Sequence, residues 1–168
     1  NHLSDLASPA NVQNIKYQIQ NLVFNNYNSD KLIMSELFYN DPSAGDNYEF
    51  IEITNIDSVP IELGGLKFAS GIDYLIDEYS LLPGKSISIA RNKDSCTKVF
   101  NMPFLGPFAG EMDNKGEKID LINSYSQSID SVRYKSDWVK EANGKGASIQ
   151  IKTTHLSSVQ NDLFSSLY

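Results

Sequence analysis

Two hydrophobic rhythms divide this chain. Over the first thirty residues, Val12, Ile15, Ile19, Leu22 and Val23 return at three- and four-residue intervals. That spacing puts them on one face of an α-helix. Ser8-Pro9 supplies the start, with serine as N-cap and proline at the first helical position. The predicted helix runs from about Pro9 to Phe24, and Asn25, Asn26, Asn28, Ser29 and Asp30 form its end and a linker. An amphipathic helix needs a surface for its apolar stripe. This one either packs on the domain that follows or is the tail of an upstream domain in a longer protein.

From Lys31 the rhythm is that of β-strands, in which alternate side chains face opposite sides. The first predicted strand is 32–39 and the second is 48–54, where Ile51 and Ile53 share one face and Glu52 takes the other. The loop between them is rich in turn residues: Asn40, Asp41, Pro42, Ser43, Gly45, Asp46 and Asn47. A third strand carries Ile61 and Leu63, is interrupted by Gly64-Gly65, and resumes with Leu66 and Phe68. The paired glycines predict a bulge or a close backbone contact. A short strand follows at 72–76. Leu82-Pro83-Gly84 has the residues of a type II turn and leads into the alternating segment 86–90.

Residues 91–110 read as irregular, with Pro103, Gly106, Pro107 and Gly110 scattered through them. Strands at 118–122 and 127–134 have hairpin spacing, and a last strand spans 147–152. Short strands between turn signals, with no helices among them, predict a sandwich or barrel. The tail 153–168 carries Leu156, Val159, Leu163 and Leu167 at near-helical spacing. It is read as a C-terminal extension, either a short helix or a peptide laid on the sandwich.

Charge narrows the partners. The net charge is −7. Between Leu32 and Gly84 ten acids face Lys67 alone, which is −9 and leaves +2 for the rest. Binding a phosphate backbone needs clustered cations, so a nucleic-acid partner is not expected. The acids read first as the solvated face and loops of a sheet. No apolar run approaches the roughly 18 residues that span a bilayer, so no membrane insertion is expected.

Several motifs, in order, resemble the lamin tail domain family in its bacterial form. Met34-Ser35-Glu36-Leu37 with Tyr39-Asn40 is similar to the family's opening. Glu49-Phe50-Ile51-Glu52-Ile53-Thr54-Asn55 and Ile61-Glu62-Leu63-Gly64-Gly65-Leu66 follow in the family's order. Leu82-Pro83-Gly84 before Ile87 to Asn92 looks like its hairpin, and Gly106 to Gly110 leading to Asn114-Lys115-Gly116-Glu117 looks like its later turn. Ile129 to Tyr134, Trp138, and Gly144 to Ile151 complete the match, over residues 32–152. Three positions depart from the pattern: Leu66 where tryptophan is usual, Val139 where proline is common, and a 123–128 loop without its glycine.

The resemblance implies an all-β, immunoglobulin-like sandwich at 31–152, preceded by a short N-terminal α-helix in 1–30 and followed by the extension 153–168. It also implies a domain without a catalytic motif, of the kind found in secreted or surface proteins. On the residues themselves, Asn55 and Asn114 sit at turns and Gly116 is placed for a positive φ. Glu36 and Glu52 lie within strands and are expected to find hydrogen bonds or water.

Groups able to carry catalysis are few in this chain. His2 and His155 fall in the two terminal segments, away from any serine-based triad. Cys96 has no cysteine to pair with and no histidine near it in sequence. One cysteine and two distant histidines do not make a zinc site. Calcium takes oxygen ligands, and Asp41, Asp46, Asp73, Asp77 and Glu78 lie in or near loops, but without EF-hand spacing. No catalytic residue, cofactor or metal ligand is assigned, and no ligand-binding residue is fixed.

Tyr39, Tyr48, Phe68, Tyr74, Tyr79, Tyr125, Tyr134 and Trp138 fall at strand edges and loops. They read first as core, and alternatively as exposed contacts for a protein or a sugar. The expected function is a non-catalytic binding or tethering module of a larger secreted or cell-surface protein, with a protein or polysaccharide partner. The alternative is an accessory carbohydrate-binding module beside an extracellular hydrolase.

Overall fold

The computed structural model describes residues 31–43, 48–151 and 164–166. The helix expected at 9–24, and all of the extension 153–168 except 164–166, lie outside the described residues. Thirteen strands and one helix are described. They are β1 (Leu32–Phe38), β2 (Phe50–Asn55), β3 (Ile61–Glu62), β4 (Lys67–Ser70), β5 (Ile72–Leu75), β6 (Ser80–Leu81) and β7 (Ser86–Ala90). Then come α1 (Lys93–Phe100), β8 (Phe104–Leu105), β9 (Ala109–Gly110), β10 (Lys118–Ile122), β11 (Ser128–Arg133), β12 (Ile149–Ile151) and β13 (Phe164–Ser166).

Two sheets form the layers, with strand orders β13-β12-β1-β2-β7-β8 and β11-β10-β4-β5-β9. A two-stranded ribbon, β3-β6, stands beside them. Alternation decides what lies between the layers. Leu32, Met34 and Leu37 of β1, Ile51 and Ile53 of β2, and Ile87 and Ile89 of β7 point inward from the first sheet. Phe68, Ile119, Leu121 and Val132 meet them from the second. This is the sandwich that the two-residue period predicts.

One inward position is a carboxylate. Asp130 of β11 is 1% exposed. Its Oδ2 accepts the amide of Met34 at 2.7 Å, and its Oδ1 accepts the amide of Ser131 at 2.9 Å. The Met34 bond runs from one sheet to the other. β1 has a register shift between Met34 and Glu36, and β12 pairs with it only at Glu36 and Leu37. The Met34 amide, beyond that pairing, donates to Asp130. β11 is also an edge strand, and an inward-pointing charge is one way to keep such an edge from pairing with another chain.

Three sequence expectations change. The stretch read as irregular contains α1, capped by the Asn92 side chain, which accepts from the Ser95 amide at 3.1 Å. Asp94 lies in its first turn and Lys98 in its last, each suited to the helix dipole. Only Cys96 of the helix is buried, so no apolar stripe announced it. The third strand is two, β3 and β4, which belong to different sheets. Gly64-Gly65 forms a turn between them instead of a bulge, and it makes the close backbone contact that the glycines predict: the Gly65 amide donates to the Ile76 carbonyl at 2.9 Å, and a Cβ on Gly64 would stand 3.5 Å from Glu78 Cα. Within the C-terminal extension, residues 164–166 form β13, paired antiparallel with β12 from Ile149↔Ser166 to Ile151↔Phe164.

The turn chemistry holds at Leu82-Pro83-Gly84: Gly84 has φ +66°, and the Lys85 amide closes the turn on the Leu82 carbonyl. Asn55 is fully buried. Its amide nitrogen donates to the carbonyls of Val59 and Leu81, and its Oδ1 accepts the Asp57 amide. At the later turn the capping side chain is Asp113, which accepts the Lys115 amide, and Asn114 stays exposed.

The hairpin loop without its glycine has a substitute. Asn123 Oδ1 accepts the amides of Tyr125 and Gln127, and Ser126 takes φ +61°. A side chain in the left-handed region costs about 1–2 kcal/mol, part of which glycine returns as unfolded-state entropy. Ser126→Gly is therefore expected to stabilise the protein by about 0.5–1 kcal/mol. Urea denaturation checks it, and a loss of stability would refute this account of the loop.

Candidate interaction surface

The outward face of the six-stranded sheet carries three cross-strand rows. Register sets them: Phe38 opposes Phe50 and Phe50 opposes Ala90; Glu36 opposes Glu52 and Glu52 opposes Ser88; Ile33 opposes Thr54 and Thr54 opposes Ser86. Each row has a distinct chemistry.

The first row is aromatic. Phe38, Phe50, Ala90, Cys96 and Phe104 form a second core, with Tyr48 packed against it. α1 closes over this row and lays Phe100 on it. The Phe100 ring lies 6.1 Å from Phe38, 6.2 Å from Tyr48, 5.5 Å from Phe50 and 5.9 Å from Phe104. Three of these contacts are edge-on, the geometry favoured by ring quadrupoles. Phe100 nevertheless remains 39% exposed, beside Val99 at 53% and Met102 at 38%. An apolar knob thus stands on a packed aromatic base.

Beneath it, burial pushes the Cys96 thiol up to about 11. A free thiol titrates near 8.5, so at pH 8 almost none of Cys96 is thiolate. The folded protein is expected to leave a thiol reagent unreacted at pH 8 and to consume one equivalent once unfolded. Rapid labelling of the native protein would contradict the packing of α1.

The second row is acidic and hydrogen-bonded. Glu36 accepts from the Ser148 hydroxyl and, at 2.7 Å, from the Gln150 amide. Glu52 Oε1 accepts from the Ser35 hydroxyl at 2.6 Å. Burial raises the Glu52 carboxyl above the usual range, and the Glu36 charge adds to this against the lowering effect of Ser35. The neighbouring hydroxyls continue from Ser35 to Thr54 and from Thr54 to Ser86. Ser88 is buried, and its hydroxyl has no hydrogen-bond partner among the described residues.

A groove of about 700 Å³ opens at the start of α1, lined by residues 91–94, Gly106, Pro107, Phe108 and Gly110. Its guanidinium is already engaged. Arg91 lies 3.5 Å from Glu49 and 3.1 Å from Glu111. Glu49 also accepts the Met112 amide at 3.1 Å, while burial raises its carboxyl. These contacts tie the segment around Met112 to the end of β7. They hold this part of the fold together.

The residues considered from sequence are dispersed. Tyr39, Phe68 and Tyr134 are core. Tyr74, Tyr79 and Trp138 are partly buried against it. The Tyr74 hydroxyl accepts the Gly106 amide at 3.1 Å. Tyr125, 62% exposed, stands apart on the β10–β11 loop. No flat platform of Trp138 with two tyrosines exists among the described residues.

Of the loop acids, Asp41 accepts the amides of Ser43 and Tyr48 within its own loop, and Asp73 pairs with Lys67 at 3.1 Å. Asp77 and Glu78 are exposed, and Asp46 lies outside the described residues. Among the described residues, no three acids, cysteines or histidines are grouped as metal ligands. His2 and His155 also lie outside the described residues.

The knob of Val99, Phe100 and Met102 is the feature that sequence reading missed. Its signal was an apolar cluster, Val99-Phe100 with Met102 and Phe104, inside a segment read as irregular.

Among the described residues, no helix is long and apolar enough to cross a membrane. No curated protein matches the chain. A family model, the lamin tail domain, matches residues 25–136, including β1, the Asn55 turn, α1 and the β10–β11 hairpin. The ordered motifs and the face-to-face sheets agree with that match, and this chain belongs to the lamin tail domain family.

Proposed function

We propose that the chain is a non-catalytic binding or tethering module of a larger secreted or cell-surface bacterial protein, and that it attaches that protein to a protein partner. The observation that carries this reading is the exposed knob of Val99, Phe100 and Met102. Apolar and aromatic side chains anchor interfaces best when they are already ordered, because little entropy is then lost on binding. Phe100 is held by four other rings before any partner arrives.

Carbohydrate recognition is the weaker reading. Among the described residues, Tyr39 and Tyr134 lie in the core and Tyr74, Tyr79 and Trp138 pack against it, so Trp138 and these tyrosines form no flat platform for a sugar ring. The acid-rich first half also disfavours a nucleic-acid partner.

The test is retention of a fluorescent fusion of the chain on intact cells of its source. Val99→Asp with Met102→Asp charges the knob and leaves Phe100 on its base. Both positions are exposed, so stability is expected to change by no more than about 0.5 kcal/mol per site. Retention is expected to fall by about tenfold, the loss of one anchoring contact. Equal retention of parent and variant sinks the role of the knob. A parent fusion retained no better than the fluorescent protein alone sinks the tethering function.

A further inference from the structure

The chain has four sulfur atoms, in Met34, Cys96, Met102 and Met112. Three are shut away from solvent. Met34 is 0% exposed and Met112 2% exposed in the main core, and Cys96 is 0% exposed in the aromatic one. The fourth, Met102, is 38% exposed and stands in the knob.

The backbone fixes this placement. α1 ends at Asn101, whose left-handed conformation, φ +52° and ψ +40°, turns the chain out of the helix. Met102 precedes Pro103, which disfavours the helical region for it. Phe104 then enters the aromatic core as the first residue of β8. Met102 is thus held in the short link between a helix and a strand and belongs to neither.

Exposure decides what a thioether can do. It reacts through its sulfur, which an oxidant must reach. Oxidation replaces an apolar, adaptable side chain by a polar sulfoxide. At Met34 or Met112 that reaction waits on an opening of the core. At Met102 it waits on nothing, and the product stands beside Val99 and Phe100 on an apolar surface.

We propose that Met102 is a modification site, at which a peroxide oxidant converts the thioether to a sulfoxide and turns the knob from apolar to polar. The sulfur lone pair attacks one oxygen of hydrogen peroxide. An S–O bond forms and the O–O bond breaks. The departing hydroxide takes the remaining proton and leaves as water. Sulfur loses two electrons and the peroxide gains them. The effect on attachment rests on the binding role proposed for the knob, whereas the oxidation itself does not.

The test treats the folded full chain with graded hydrogen peroxide at neutral pH and maps oxygen uptake by peptide mass spectrometry. Met102 is expected to take up one oxygen roughly tenfold faster than Met34 or Met112, while Cys96 stays a thiol. The singly oxidised protein is expected to leave a hydrophobic-interaction column earlier than the parent. Its fluorescent fusion is expected to be retained on cells about threefold less. Methionine sulfoxide reductases of both stereospecificities, with a dithiol as reductant, are expected to restore both readings. Met102→Leu keeps an apolar side chain and removes the sulfur, so peroxide is expected to leave its column position unchanged.

Similar rates at all three methionines overturn the site. A Met102 sulfoxide that moves neither the column position nor the retention of a retained fusion overturns its effect on the knob. A shift with peroxide that persists in Met102→Leu assigns the effect to a buried methionine and overturns it too. An untreated parent that cells do not retain sinks the tethering reading alone, because oxygen uptake and column position still decide the modification.

Discussion

Replacing Asp130 with alanine is expected to lower the unfolding free energy by about 3–4 kcal/mol. Two amides lose their acceptor. The Met34 amide is buried between the sheets, so water cannot replace the carboxylate. The Ser131 amide, on the edge strand, is only partly buried and loses less. A hydrogen bond to a charged acceptor is worth about 1.5–3 kcal/mol, and an orphaned buried donor costs a similar amount. For a domain of this size the melting temperature should drop by roughly 10 °C.

Asp130→Asn separates charge from shape. An asparagine still offers one oxygen but puts a donor where the second acceptor stood. Its loss should fall near half that of alanine, about 1–2 kcal/mol. Equilibrium denaturation of the three proteins decides the matter. An alanine variant within about 0.5 kcal/mol of the parent would mean that Asp130 does not join the sheets as described.

Gly116→Ala is expected to destabilise by about 3–5 kcal/mol. Two effects combine there. The backbone has φ +111°, and an added Cβ would stand 2.3 Å from the Tyr134 carbonyl oxygen and 2.7 Å from Lys135 Cα. Backbone atoms cannot rotate aside. The turn would have to withdraw from the strand end, against the bond from the Tyr134 hydroxyl to the Asp113 carbonyl at 2.8 Å.

Gly84→Ala isolates the first effect. Gly84 has φ +66° but nothing within 4 Å of an added Cβ. Its cost should be about 1 kcal/mol. Thermal melts of both variants test the ordering. Equal losses would show that backbone strain accounts for both and that the close approach at Gly116 relaxes freely.

The sequence carried the inner faces well because they follow local rules. Ile51 and Ile53, Ile87 and Ile89, Ile119 and Leu121 alternate with polar residues. Their strands appear where that alternation placed them. α1 was illegible for the opposite reason. It covers a row of aromatics with one buried residue of its own, Cys96, and with Phe100 at its end. A helix that shields a surface with so few apolar positions leaves no period to detect. The split of the third strand was hidden because Ile61 of β3 and Phe68 of β4 are both apolar strand residues, whatever sheet each joins.

The candidate surface was less legible still. Tyrosines and the tryptophan were fair suspects by type, but most of them serve the core. Type alone does not say whether a ring is spent on packing. Exposure does, and exposure depends on strands distant in sequence.

By itself, then, the sequence determined the alternation that buries one face of each main strand, the turns at Gly84 and Gly116, and the motif order of the lamin tail domain family. Those are properties of a residue and its near neighbours. Only the tertiary structure decided that Asp130 points inward to the Met34 amide, ninety-six positions away. It alone set Glu36 opposite Glu52 and raised Val99, Phe100 and Met102 on an aromatic base. The physical reason is common to all three: burial, cross-strand pairing and desolvation arise between segments, and no local pattern records which segments will meet.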